Sequence, residues 1–182
     1  MMDRNLFIKY NRLAAEAQIK KGTKESMDWF AKKIRKDSKV TLDRVTEDLN
    51  SSRIALGRMF TYSYDPKLKE KLSFYDTNPL VIILDIKGDG WYGANLHYLP
   101  PKIRVDLMEE VIVGKKSTLQ VARILESNPI TKVCLKRYLA KQLVTRPKLV
   151  PREEWEIAIQ LPFESFMKAT LKEVWKNSKS KL

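Results

Sequence analysis

Three groupings in this chain have the residue types and spacing to do chemistry. Gly88, Gly90 and Gly93 in GDGWYG form a literal G-x-G-x-x-G after the apolar run PLVIILDI, the pattern of a dinucleotide-binding turn. Asp85 and Asp89 with Lys87 between them imitate the acid–lysine grouping of a metal nuclease. His97, the single histidine, and Cys134, the single cysteine, are the residues that nucleophilic catalysis would have to use.

Each grouping has a simpler reading. A dinucleotide turn must open a helix whose free N–H groups hold the pyrophosphate. Here only Ala94–Leu99 separate Gly93 from Pro100-Pro101, and Trp91–Tyr98 alternates with the period of a strand. Lys87–Gly90 is therefore expected to be a tight hairpin turn in which glycines supply positive φ. The same loop fails as a calcium site, because Lys87 stands where an oxygen ligand is needed. His97 is expected to be a hydrogen-bonded residue of a small sheet. Cys134 is expected to be a small buried apolar residue. No metal or cofactor is assigned, and the chain reads as a non-enzyme. Several acids, among them Asp65 and Asp76 beside Asp85 and Asp89, keep a metal nuclease as the enzymatic alternative.

The elements that position these residues follow from periodicity. Residues 3–20 place apolar side chains at helical spacing up to Gly22, and Thr23 caps a second helix with Met27, Phe30, Ala31 and Ile34 on one face. Residues 38–56 read as a loosely helical linker. A strand follows Gly57, then the hairpin 80–98 and a helix begun by Pro100-Pro101. Helices are expected at 118–127 and 129–144, a strand at 155–161 and a last helix at 163–176. The outcome is an α+β protein: a small antiparallel β-sheet or partly open barrel flanked by N- and C-terminal helices. The organisation expected is a basic helical arm (1–56), the core (57–176, with helices over 101–144 and a C-terminal strand and helix over 155–176) and a polar tail (177–182).

Charge is the strongest global signal. The 182 residues carry a net +13, divided as +6 over 1–40, +1 over 41–75, −3 over 76–113 and +9 over 114–182. Basic ends around a neutral or acidic β-rich centre point to a polyanionic partner, nucleic acid first. The candidate phosphate contacts are Lys32, Lys33, Arg35 and Lys36 near the start, and Lys136, Arg137, Lys141, Arg146 and Lys148 later. A merely solvated basic surface is the competing reading. The helices at 118–127 and 129–143 also imitate a helix-turn-helix, although base-reading polar residues are sparse there. Trp29, Trp91, Trp155 and Trp175 could stack on bases, with core packing the commoner fate. No apolar run approaches the roughly 18 residues of a membrane helix. An acidic protein or a membrane surface ranks second to nucleic acid as the polyanionic partner, and no membrane is assigned. One cysteine excludes an internal disulfide and fits a reducing, intracellular setting.

Residues 57–109 resemble a segment of the DNA end protector family of T-even-like bacteriophages. The match rests on YDPK (64–67), FYDTNPL (74–80) and NLHYLPP (95–101), with the closing residues 150–181 also similar and KESMDWF weaker. The chain departs from the family pattern at Ser73-Phe74, where Pro-Tyr is usual, and at Trp91-Tyr92, where Phe-Leu is usual. Both changes keep aromatic or turn character. The resemblance implies a non-catalytic virion protein, present in the host cytoplasm during assembly, that binds the ends of packaged double-stranded DNA and blocks host exonuclease. The alternative is a structural neck, tail or baseplate component whose basic ends contact other phage structural proteins.

Overall fold

The computed structural model describes residues 6–37, 40 and 49–176. Most of the expected linker at 38–56 therefore lies outside the described residues. Two helices open the chain, α1 (Leu6–Glu16) and α2 (Lys24–Arg35). Thr23 caps α2 as its spacing predicts: its side chain accepts from the Ser26 N–H while the Ser26 hydroxyl accepts from the Thr23 N–H. Met27, Phe30, Ala31 and Ile34 are buried and Lys32, Lys33, Arg35 and Lys36 are exposed, so the amphipathic reading of α2 holds.

The sheet is antiparallel, open and five-stranded, with the order β5 (Leu135–Leu139), β4 (Gly90–Asn95), β3 (Leu80–Lys87), β1 (Met59–Thr61), β6 (Lys148–Val150). A two-stranded sheet pairs β2 (Tyr75–Asp76) with β7 (Phe166–Met167). The architecture is thus α+β with helices at both ends. The unbroken apolar run Leu80–Leu84 is explained by the central place of β3, covered on both faces. Leu80, Ile82 and Leu84 join the main core with α1, α2 and the later helices, whereas Val81 and Ile83 join Phe60, Trp91 and Tyr138 on the other face. That second face is aromatic. Tyr62 meets Trp91 and Tyr138 edge-on at 5.7 and 5.6 Å, and the Trp91 Nε1 donates to the Tyr62 hydroxyl at 3.0 Å.

The hairpin is as expected, with Lys87 opposite Gly90 and Gly88 at φ +56°. Gly90 does not have positive φ. Its glycine is required for another reason: a Cβ there would lie 1.9 Å from the Tyr138 carbonyl oxygen of the neighbouring strand. Gly90→Val should therefore destabilise by at least the roughly 1–3 kcal/mol typical of overpacking. Chemical denaturation checks this, and an unchanged midpoint would refute the close approach.

Three expectations are corrected. The strand from Trp91 ends at Asn95, and His97 sits in a 3-10 turn, Leu96–Tyr98, before α3 (Pro101–Met108). After α4 (Thr118–Ser127), which matches expectation, helix α5 covers only Pro129–Lys132. Residues 135–139 then become β5, because the open edge of β4 offers ladder hydrogen bonds that pair Tyr92 with Arg137 and Trp91 with Tyr138. No helix-turn-helix exists there. At the C-terminus, 155–161 is helical at α6 (Trp155–Ala158), while 163–176 yields β7 and a single-turn α7 (Leu171–Val174). Trp155–Leu161 is wholly buried, packed as a helical turn and not as the expected strand. Glu156 lies 3% exposed and accepts hydrogen bonds from the Gly22 N–H and the Ser26 hydroxyl, tying α6 to the start of α2.

Candidate nucleic-acid interface

Helix α2 gathers four of the candidate phosphate contacts. Lys32, Lys33, Arg35 and Lys36 are exposed on one helix, and none pairs with a carboxylate among the described residues. The Lys33 ammonium lies over the Trp29 ring, 5.4 Å from its centre, a cation–π contact on the exposed side of the helix. A groove of about 430 Å³ runs between α2 and α3, lined by Lys24, Lys32, Arg35 and Asp28 from α2 and by Lys102 and Asp106 from α3. Gln160 lines the same groove, and its buried Nε2 has no acceptor among the described residues. Lys102 and Gln160 were missed from sequence. Lys102 follows the Pro100-Pro101 helix start and could have been placed on the first turn. Gln160 could not, since its neighbourhood depends on α6.

The second group is not a face. On strand β5 successive side chains point to opposite sides, so Lys136 and Arg137 diverge. Arg137 is held at the hairpin tip, where its guanidinium donates to Asp89 Oδ1 at 2.6 Å and to the Lys87 carbonyl at 3.1 Å and covers the Tyr92 ring. Lys136 instead lies 4.0 Å from the Tyr98 ring centre. Lys141 and Arg146 are exposed in the crossing from β5 to β6, at opposite edges of the sheet. Lys148 donates to the Leu49 carbonyl at 3.2 Å. The expected helical face of Lys136, Arg137 and Lys141 is therefore replaced by separated positions.

The residues with catalytic types are engaged structurally. His97 is fully buried, with Nδ1 2.7 Å from Asp76 Oδ2, and Phe163 meets its ring edge-on. Asp76 also accepts from the Asn95 side chain and the Asn78 N–H. The Trp175 Nε1 donates to the His97 carbonyl, and Trp91 and Trp155 are core residues. Burial pushes the Cys134 thiol up to about 12, far from a nucleophile's range. In the turn, Lys87 pairs with Asp85 at 2.9 Å while Asp89 pairs with Arg137. Among the described residues no three His, Cys, Asp or Glu side chains group to hold a metal ion, and no helix is long and apolar enough to cross a membrane.

The motifs YDPK, FYDTNPL and NLHYLPP meet around Asp76 and Tyr98, with Tyr64, Pro66 and Lys67 beside Tyr75. A model of the phage T4 terminal DNA protecting protein family matches residues 5–178. The chain belongs to that family. Membership spans α2, the whole sheet and the crossing at 140–147, so every basic position considered above lies within the matched residues. No curated protein and no solved structure matches the chain.

Proposed function

We propose that this protein binds the ends of packaged phage DNA through phosphate contacts, shields them from exonuclease and does not itself cut DNA. The observation that carries the reading is the α2 face of four exposed cations without acidic partners among the described residues, in a chain of a terminal-DNA-protecting family. Exposed cations that are not spent on internal pairs are the ones able to displace counterions from phosphates. The rest of the proposed DNA face comes from Lys102 beside α2 and from exposed Lys141 and Arg146. The absence of cutting is supported by the engagement of Asp76, Asp85, Asp89 and His97 in pairs within the fold. A virion location, with assembly in the host cytoplasm beside other phage structural proteins, accompanies the proposal.

Linear duplex incubated with the protein should resist exonuclease, while covalently closed circles should bind it more weakly. The DNA should stay intact in magnesium or manganese. Metal-dependent cutting abolished by Asp85→Ala would overturn the non-catalytic reading. No binding at low salt would favour the structural alternative, in which the same cations dock acidic neighbours in the neck, tail or baseplate.

A further inference from the structure

Beside β5 lies a cavity of about 220 Å³ that the phosphate-binding face does not use. Its lining includes Lys136, whose ammonium lies 4.0 Å from the Tyr98 ring centre and pairs with no carboxylate among the described residues, and Arg137, which is already bonded to Asp89. Burial pulls the Lys136 pKa below the ordinary lysine value, as expected of an ammonium short of counter-charge. The walls are apolar and aromatic. Leu68 and Leu72 are exposed at 57% and 39%, and Tyr75 is half-buried. Exposed Lys67 stands at the rim without a carboxylate partner among the described residues. Asp76 also lines the cavity, but its carboxylate already accepts from Asn78 and Asn95 and is hydrogen-bonded to His97 Nδ1.

We propose that this pocket takes the terminal nucleotide of a DNA strand, with the base against Tyr75 and the two leucines and its phosphate on Lys136 and Lys67. The proposal rests on the DNA-end reading given above. The volume of about 220 Å³ falls below the roughly 300–1,000 Å³ of pockets for drug-sized ligands, so the occupant it suits is small, on the scale of a single base. An aromatic wall accepts any base because every base has a π-face. The same geometry explains a preference for ends. An internal nucleotide is paired and stacked on both sides and must be extruded to enter, whereas an unpaired nucleotide enters at far lower cost. The last pair of a duplex, stacked on one side only, supplies such a nucleotide by fraying.

The test compares a short blunt duplex with free ends against the same duplex closed at both ends by hairpin loops. The wild-type protein should bind the free-ended form more tightly by roughly fivefold to a hundredfold, the worth of one base stacked on an aromatic ring. Leu72→Trp, which fills the pocket from its exposed rim, should erase the preference and leave affinity for the closed duplex as it was. In the wild-type protein, 5-iodouracil at the terminal nucleotide should photo-crosslink to Tyr75 or Tyr98, and the same base at an internal position should not. If the wild type prefers free ends but folded Leu72→Trp and Leu68→Trp keep that preference, or if the terminal crosslink falls elsewhere, the pocket proposal is overturned and end binding stands. Equal binding of free-ended and closed duplex removes the end-binding reading and the pocket with it, leaving only general DNA affinity. Binding of neither DNA removes the end-binding reading itself.

Discussion

Replacing Lys32, Lys33, Arg35 and Lys36 together by alanine flattens the salt dependence of duplex binding by up to about 3.6 units of log–log slope, about 0.9 for each phosphate no longer neutralised. The expectation follows from their exposure on one helix and their lack of acidic partners among the described residues. Helix α2 should survive the change. Alanine is the best helix former, the buried face of Met27, Phe30 and Ile34 is untouched, and the Thr23 cap remains. Arg137→Ala serves as the comparison and should flatten the slope by less than one phosphate's worth, since its guanidinium already bonds Asp89. Binding measured across a salt series, with thermal melting as the control for folding, checks both. An unchanged slope in the folded quadruple variant would remove α2 from the DNA face.

Glu164→Ala is expected to be the most damaging single substitution for stability. Arg104 is 1% exposed, and its guanidinium bonds the Leu99 carbonyl at 2.8 Å, the Ile159 carbonyl at 3.2 Å and the Glu164 carboxylate. It also covers the Trp175 ring at 5.6 Å, so one side chain ties α3 to the segment after α6 and to the C-terminal turn. Burial opposes its charge and lowers its pKa, and Glu164 is the leading group acting against that. Removing Glu164 leaves a buried charge without its counter-ion, a change that costs about 3–5 kcal/mol. For a chain of this size that corresponds to a melting temperature lower by roughly 6–20 °C. Replacing both partners by apolar residues, Arg104→Met with Glu164→Leu, should recover most of the loss, because the desolvation penalty goes with the pair. Equal loss in the single and double variants would show that packing, and not the uncompensated charge, sets the cost.

What the chain made legible by itself was local. The Thr23 cap and the 3.6-residue spacing of Met27, Phe30 and Ile34 define α2 without reference to any other segment. The hairpin needs only an apolar run, an alternating run and a glycine turn between them, so its existence was readable in Leu80–Asn95, whereas the bulge between Ile83 and Asp85 was not. Helix α4 likewise carries its own cap at Ser117. The exposed cations of α2 follow directly from that helix's buried face.

What only the tertiary structure decided depended on partners distant in sequence. Residues 135–139 carry leucines at spacings that suit a helix, yet the free edge of β4 recruits them as a strand, which splits Lys136 from Arg137 and places Lys136 over Tyr98. The strand expected at 155–161 is instead a buried helical turn in which Glu156 and Gln160 are both buried, and Glu156 is satisfied by Gly22 and Ser26 from the opposite end of the chain. Gly90 is glycine because a carbonyl 48 residues later approaches it, as the position of Tyr138 shows. The pocket at Lys136 exists only where three separated motifs meet. Periodicity reports which face a residue turns away from water. It carries no information about which other segment will stand there, and strand pairing, buried charge and pocket walls are all set by that second segment.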